Sequence, residues 1–401
     1  MKKSHIDWCP VIPDHWEEKR IKDIAFLQSG NSITAMDFVE DGKYPVYGGN
    51  GLRGYTNTYT NEGDYVLIGR QGALCGNINY AHGKFYASEH AVVVYPKKEE
   101  ITLWLGETLR TANLNRLSMT AAQPGLAVST LNLQFIPFPP KDERIRIAKY
   151  LDKKLSEIDH QVSILTSKRD AYLRLKKSII NHAVTRGLNT NVKMKDSGIE
   201  WIGEVPEHWE VKRLKNVVEC NAKSLGENTP KDSIIKYVEI SDVDHVHGIN
   251  NIQSLMFGEA PSRARRITQK GDIIISTVRT YLKAIAKIED DDIIVSTGFA
   301  VLHPTKCNGE YLAYYILSES FINRVEMLSK GTSYPAINAS DLVSINVLIP
   351  PLPEQRVIAT YLDDKCAKID TIVSNLNKQI SRYADLKRSL IDEVITGKRA
   401  V

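Results

Sequence analysis

What this sequence lacks narrows its chemistry before any motif is considered. Its five cysteines, Cys9, Cys75, Cys220, Cys307 and Cys366, are odd in number, scattered and never set as a C-x-x-C pair. Neither a disulfide framework nor a thiolate zinc site is expected, and a reducing cytoplasm is the natural setting. No stretch approaches the roughly 18 consecutive apolar residues of a membrane span, and His5, Asp7 and Asp14 interrupt the first apolar residues where a signal-peptide core would lie. Charge of one sign is also scarce. The 52 Lys and Arg against 48 Asp and Glu leave +4 over 401 residues, which permits a nucleic-acid partner without requiring one. A soluble, non-exported, cytoplasmic protein of two or three domains is expected, at roughly 150 residues per domain.

What is present is a heptad seam that occurs twice. From residue 143 to 184, Ala148, Leu151, Leu155, Ile158, Val162, Leu165, Tyr172, Ile179 and Ala183 recur at steps of 3 and 4, with Arg169 and Lys176 filling gaps. Near the C-terminus Ala359, Leu362, Cys366, Ile369, Val373, Leu376, Ile380, Tyr383, Leu390 and Val394 repeat it, broken at Lys387. Tyr361 against Tyr150, Ile369-Asp370 against Ile158-Asp159, and Leu386-Lys387 against Leu175-Lys176 all give an offset of 211. The opening segments repeat too: Pro13-Asp14-His15-Trp16-Glu17 matches Pro206-Glu207-His208-Trp209-Glu210 at 193. The difference between the two offsets is taken up by divergent middles, each of which reads as short strands, a helix and a last strand.

These boundaries give a first domain over 1–140, a helix over 141–189, a second domain over 190–350 and a second helix over 351–401. Pro139-Pro140 and Pro350-Pro351 mark the helix starts, while Gly187 and Gly397 suit left-handed caps at their ends. The polar stretch 190–199 reads as a linker. The fold class is α+β: two mixed α/β domains separated by two long antiparallel coiled-coil helices in a pseudo-two-fold repeat. Leu151, Leu155, Ile158, Val162 and Leu165 would form one side of the spacer, and Leu362, Ile369, Val373 and Leu376 the other. Polar residues at Arg169, Lys176 and Lys387 would fix the register.

The architecture resembles the specificity subunit of a type I restriction-modification system. The pieces that carry the resemblance are Ile349-Pro350-Pro351-Leu352-Pro353-Glu354-Gln355-Arg356 and Leu386-Lys387-Arg388-Ser389-Leu390-Ile391-Asp392-Glu393-Val394-Ile395-Thr396-Gly397. The first copy departs from the pattern at Lys141-Asp142-Glu143-Arg144. The resemblance implies a non-catalytic subunit whose two target-recognition domains each read one part of a split, asymmetric double-stranded DNA target. It further implies that the helices dock two methyltransferase (modification) subunits, and that two restriction (endonuclease-translocase) subunits join the full complex. S-adenosylmethionine, ATP and Mg are then expected on those partners and no cofactor on this chain. The Asn/Asp-Pro-Pro-Tyr/Phe run used to methylate a base amino group is absent here.

No catalytic constellation is found, and no metal site is assigned. Gly49-Asn50-Gly51-Leu52-Arg53-Gly54 fits a dinucleotide fingerprint in form, yet no helix follows it, so it reads as a glycine-rich turn. His15 and His208 stand without evident partners, and Asp242, Asp244, His245 and His247 read as a solvated strand end. The candidate DNA contacts are Arg70 with Gln71, and Arg279 with Tyr281, each pair just past a similar strand. Arg263, Arg265, Arg266, Lys270 and Lys283 offer a phosphate track, with Lys43, Arg53 and Lys84 as a weaker equivalent. Loops holding Gln123 and Ser333-Tyr334 precede the last strand of each domain. An ion pair, a solvated face or a plain turn is the competing reading for each. A self-sufficient DNA-modifying enzyme and a non-DNA coiled-coil scaffold remain as alternative functions.

Overall fold

Prolines and β-branched runs break each middle region into short strands, and the heptad stretches form one helix apiece. The computed structural model describes residues 1–72, 74–98, 101–118, 125–245 and 247–401. The long helices are Lys141–Arg186 and Leu352–Ile395. The chain divides into two units, Met1–Thr166 with Lys378–Val401, and Ser167–Asn377. Each unit holds one α/β domain and a segment of each long helix. Among the described residues no helix is long and apolar enough to cross a membrane.

The first domain contains two four-stranded sheets. One has the order Ala25–Ser29, Ala91–Pro96, Tyr65–Gly69, Ile78–Ala81; the other has Gly51–Thr56, Tyr44–Gly48, Lys84–Ala87, Asn61–Glu62. In the second sheet Lys84–Ala87 runs parallel to Tyr44–Gly48. The second domain repeats both, as Val218–Cys220, Phe299–Pro304, Ile273–Ser276, Ile285–Lys287 and as Gln253–Met256, Ile234–Val238, Ile293–Ser296, Ala264–Ile267, with the same single parallel pair. The divergent middles are thus one topology. The offset is 193 between Leu27 and Cys220, 207 between Val66 and Ile273, and 211 between Glu143 and Glu354, so most of the extra length enters before the third strand of the first-named sheet.

Some expected elements differ. The stretch 190–199 is not a linker: Met194–Asp196 pairs antiparallel with Glu204–Pro206, as Lys2–Ile6 does with Cys9–Ile12 in the first domain. The one helix expected in the second middle region is two, Gly309–Ile316 and Glu319–Leu328, because the Ser318 hydroxyl accepts from the Phe321 amide and starts a new helix. Likewise the stretch before the last strand of the first domain contains a short helix, Val128–Asn132, ahead of Phe135–Phe138.

Within each unit the helix segments run antiparallel. In the first, Lys387 Nζ lies 2.7 Å from Asp159 Oδ1; in the second, Lys176 Nζ lies 2.7 Å from Asp370 Oδ1. Each lysine in the seam therefore reaches an aspartate on the other helix, and the two pairs are related by the repeat. Arg169 instead bonds its neighbour Asp170. Leu151, Leu155, Ile158, Leu362, Ile369 and Leu376 are buried, whereas Val162, Leu165 and Val373 are half-buried.

The repeated His-Trp segment explains how each domain holds its helices. His15 Nε2 lies 2.9 Å from Glu143 Oε2, and the buried Trp16 indole donates to the same oxygen at 3.1 Å. His208 and Trp209 meet Glu354 at 2.7 and 3.1 Å. The histidines expected to lack partners thus have them, on the first turn of a helix more than a hundred residues away. The same indoles pack on the other helix's end. A Cβ on Gly397 would stand 3.1 Å from the Trp16 ring, and one on Gly187 would stand 3.2 Å from that of Trp209. Both glycines have positive φ, so the left-handed cap and the close approach together demand glycine. The departure at Arg144 is also accommodated. Arg144 Nη1 donates to the Pro139 carbonyl at 2.7 Å, the bond Gln355 Nε2 makes to Pro350.

All five cysteines are free, and burial pushes the Cys9 and Cys307 thiols up to about 11, so they behave as core groups. The tryptophan contacts give a first prediction. Trp209→Ala should cost ~3–5 kcal/mol of stability, as expected for a large buried ring, and Glu354→Gln clearly less. Urea unfolding followed by far-ultraviolet circular dichroism measures both, and equal midpoints for Trp209→Ala and wild type would refute the assignment.

Candidate nucleic-acid interface

In each domain the strand that precedes the candidate arginine ends in a turn pinned to a second loop. Leu126 N donates to Arg70 O at 2.9 Å, and Ile337 N to Thr277 O at 2.9 Å. Gln71 bridges Gly125, and Val278 bridges Ala336. The loops singled out separately in the sequence are therefore brought together. Gln123 lies outside the described residues, but Tyr334 sits with Arg279, whose guanidinium carbon stands 5.1 Å from the ring centroid. Ser333 is exposed on the same loop.

The bond repeat also sets the register between the two turns. Gly69 N donates to Asn77 O, and Ser276 N to Ala284 O, both at 2.8 Å. This aligns Arg70 with Thr277, so Arg70 and Arg279 are not counterparts. The counterpart of Arg279 is Gly72, and that of Lys283 is Gly76. All four have positive φ, +86° and +86° in the first domain and +51° and +52° in the second. Glycine adopts this conformation freely, whereas another residue costs ~1–2 kcal/mol there. Two basic side chains held at unfavourable backbone positions point to a role beyond the turn itself.

The surroundings sort the remaining candidates. Among the described residues Arg70, Arg263 and Arg279 have no carboxylate within ion-pair distance. Arg70 is half-buried, and its amide donates to His90 O, while Gln71 Oε1 lies 3.0 Å from His90 Nδ1. Arg263 is exposed and its carbonyl accepts from Thr297 N, beside Gly298, which accepts from Thr277 N. That places Arg263 at the root of the second loop. Arg265 and Arg266 do not join it. Arg265 stacks 4.7 Å from the Phe257 ring, and Arg266 is half-buried with an unbonded Nε. Arg265 and Arg266 thus have surroundings of their own, beside a register shift between Ala264 and Arg266. Lys283 is partly neutralised by Glu326 at 3.4 Å; burial first, and then the charges of Lys177 and Lys283, hold His245 below its ordinary range.

In the first domain the glycine-rich turn abuts the site, as a turn and not as a phosphate cradle. A Cβ at Gly69 would stand 2.1 Å from Gly49 O, so the hairpin carrying Arg53 lies directly on the end of the Arg70 strand. Arg53 is exposed, stacking at 5.7 Å on Phe38. Lys84 lies at the other end of its strand, paired with Glu62 at 3.6 Å and stacked on Tyr59. Lys43 stacks on Tyr44.

Residues 13–165 and 206–382 match the family model for the type I restriction modification DNA specificity domain. The chain belongs to the type I specificity-subunit family. The specificity subunit of the type I restriction enzyme EcoprrI from Escherichia coli is 40% identical over 141 residues, 34% of this chain and 35% of that protein. The MjaVIII specificity subunit of Methanocaldococcus jannaschii is 24% identical over 409 positions, spanning 96% of this chain and 93% of its own. A solved chain, described for complex assembly and conformational transition of the type I R-M system, superposes with a TM-score of 0.70 at 17% identity, covering 97% of this chain and 100% of that one. At that identity it establishes the fold.

In this type I specificity chain, each matched segment includes one strand-end loop. Sequence reasoning missed Leu74, Thr277 and His90 as neighbours of the candidate residues. The 207 offset that sets Leu74 opposite Tyr281 comes from the cross-strand bonds, whereas the matching Gly63-Asp64 and Gly271-Asp272 pairs give 208. The backbone geometry yields a prediction. Gly76→Ala should destabilise by ~1–3 kcal/mol, since its Cβ would lie 2.4 Å from Asn115 N. Lys283→Gly should stay within ~1 kcal/mol of wild type or exceed it. Urea titration decides, and a Lys283→Gly variant less stable than Gly76→Ala would contradict the assigned strain.

Proposed function

We propose that this chain is the non-catalytic, sequence-reading subunit of a type I restriction-modification complex, binding an asymmetric bipartite duplex target with one domain per part. The observation that carries this is the pair of loop sites, which share several backbone bonds and differ in side chains. Arg70 and Gln71 in one, and Thr277 and Arg279 in the other, supply unlike donors on like scaffolds. A guanidinium without a carboxylate partner can clamp guanine O6 and N7, and a glutamine amide can pair with adenine. Arg53, Arg263, Lys283, Ser333 and Tyr334 would flank these contacts.

The long helices suit a spacer and docking role. At ~1.5 Å per residue, the 46 residues of the first extend ~69 Å, against ~34 Å for one turn of duplex. Each unit also has a groove between its domain and its helix segments. Tyr80, Leu103 and Arg110 line the first along with Asp159 and Lys387; Leu173, Tyr314 and Leu317 line the second along with Lys176 and Asp370. Two grooves floored by equivalent interhelix ion pairs favour two copies of one partner, the modification subunits, with restriction subunits joining the larger assembly. S-adenosylmethionine, ATP and Mg would then be held by those partners.

With its modification partners present, the wild-type complex should bind duplex DNA with a steep salt dependence. Arg279→Ala should weaken binding about tenfold to a hundredfold, as for loss of one bidentate base contact, and leave assembly intact. Leu155→Asp combined with Leu376→Asp should abolish assembly and methylation. Normal assembly of that helix variant, read by size-exclusion chromatography, would overturn the spacer role. Methylation or cleavage by the chain alone would establish a self-sufficient enzyme, and the absence of salt-dependent duplex binding would favour a scaffold.

A further inference from the structure

We infer that Leu74 in the first domain and Tyr281 in the second are apolar wedges that press into a base step of the duplex, each at the apex of its strand-end loop. The inference rests on the DNA-reading role proposed above and adds the manner of contact. Leu74 and Tyr281 occupy the same place in the repeated turn, two residues after Gly72 and Arg279 and two before Gly76 and Lys283. In both turns the flanking bond recurs, Cys75 N to Gly72 O at 3.0 Å and Leu282 N to Arg279 O at 2.9 Å.

The two side chains are 48% and 51% exposed, although the residues beside them, Cys75 and Thr280, are buried. The turn is anchored from below, since Thr280 Oγ1 donates to Ser329 Oγ at 2.8 Å. A leucine and a tyrosine are therefore held outward at one structural position in two domains whose other loop residues differ. Around Tyr281, Leu282 is 43% exposed and Tyr334 67%, with Arg279 stacked on the latter. In the second domain an apolar tip flanked in the turn by Arg279 and Lys283 matches a surface that is anionic outside and apolar between stacked bases. Side chains of this kind enter base steps and partly unstack them, and a tyrosine ring can also stack on an exposed base face.

The test uses the assembled complex and a duplex containing its split target, with 2-aminopurine placed in turn across each half. Wild type should raise the probe's fluorescence at one step in the second half, a signal that Tyr281→Ala removes and Tyr281→Phe keeps. Leu74→Ala should act only on probes in the first half. Binding should fall about tenfold for Tyr281→Ala, with an unchanged thermal melt. A fluorescence rise that survives Tyr281→Ala, or unchanged affinity in that variant, would overturn the wedge while leaving the DNA-reading role in place. No duplex binding by the wild-type complex would overturn the role and the wedge together.

Discussion

The contact on which each unit depends is a buried indole joined to a carboxylate at a helix start. Trp16 with Glu143, and Trp209 with Glu354, each tie a strand segment to the first turn of a long helix, and each ring also receives the glycine that ends the other helix. A carboxylate in that turn is favoured by the exposed amides of the helix N-terminus, and a charge-assisted bond keeps the buried indole N–H satisfied. One residue thereby fixes both helix segments against their domain, with the start of one beside the end of the other. The first unit draws its clasp from both ends of the chain, whereas the second draws it from one continuous stretch.

With the helices held there, the seam needs only local specification. Apolar residues at heptad positions supply burial, and the ion pairs between Lys387 and Asp159 and between Lys176 and Asp370 offer a register. Both pairs include an exposed aspartate and contribute little stability by themselves; their effect is to disfavour a shifted pairing. The domains are free to vary in side chains because their sheets share one bonding pattern. The strand-end loops show the consequence most clearly, with glycines at two left-handed positions in one domain and Arg279 and Lys283 in the other.

Much of this was legible in the sequence. Periods of 3 and 4 marked the helices, the offsets 193 and 211 marked the duplication, and the family match agrees with the resemblance of the repeated motifs. Three things were not legible, for physical reasons. The partners of His15 and His208 lie more than a hundred residues away, beyond any local pattern. The 190–199 hairpin is held by backbone pairing, which polar composition conceals. The counterpart of Arg279 is set by cross-strand bonds, which two similar strands each followed by an arginine do not reveal.

That one chain reads two unlike half-sites is the central claim, and sequencing the methylated bases of cells with and without this gene tests it most directly. A split, asymmetric motif should be methylated only when the gene is present. An identical methylation pattern in both cells, or loss of an unbroken or symmetric motif, would contradict it.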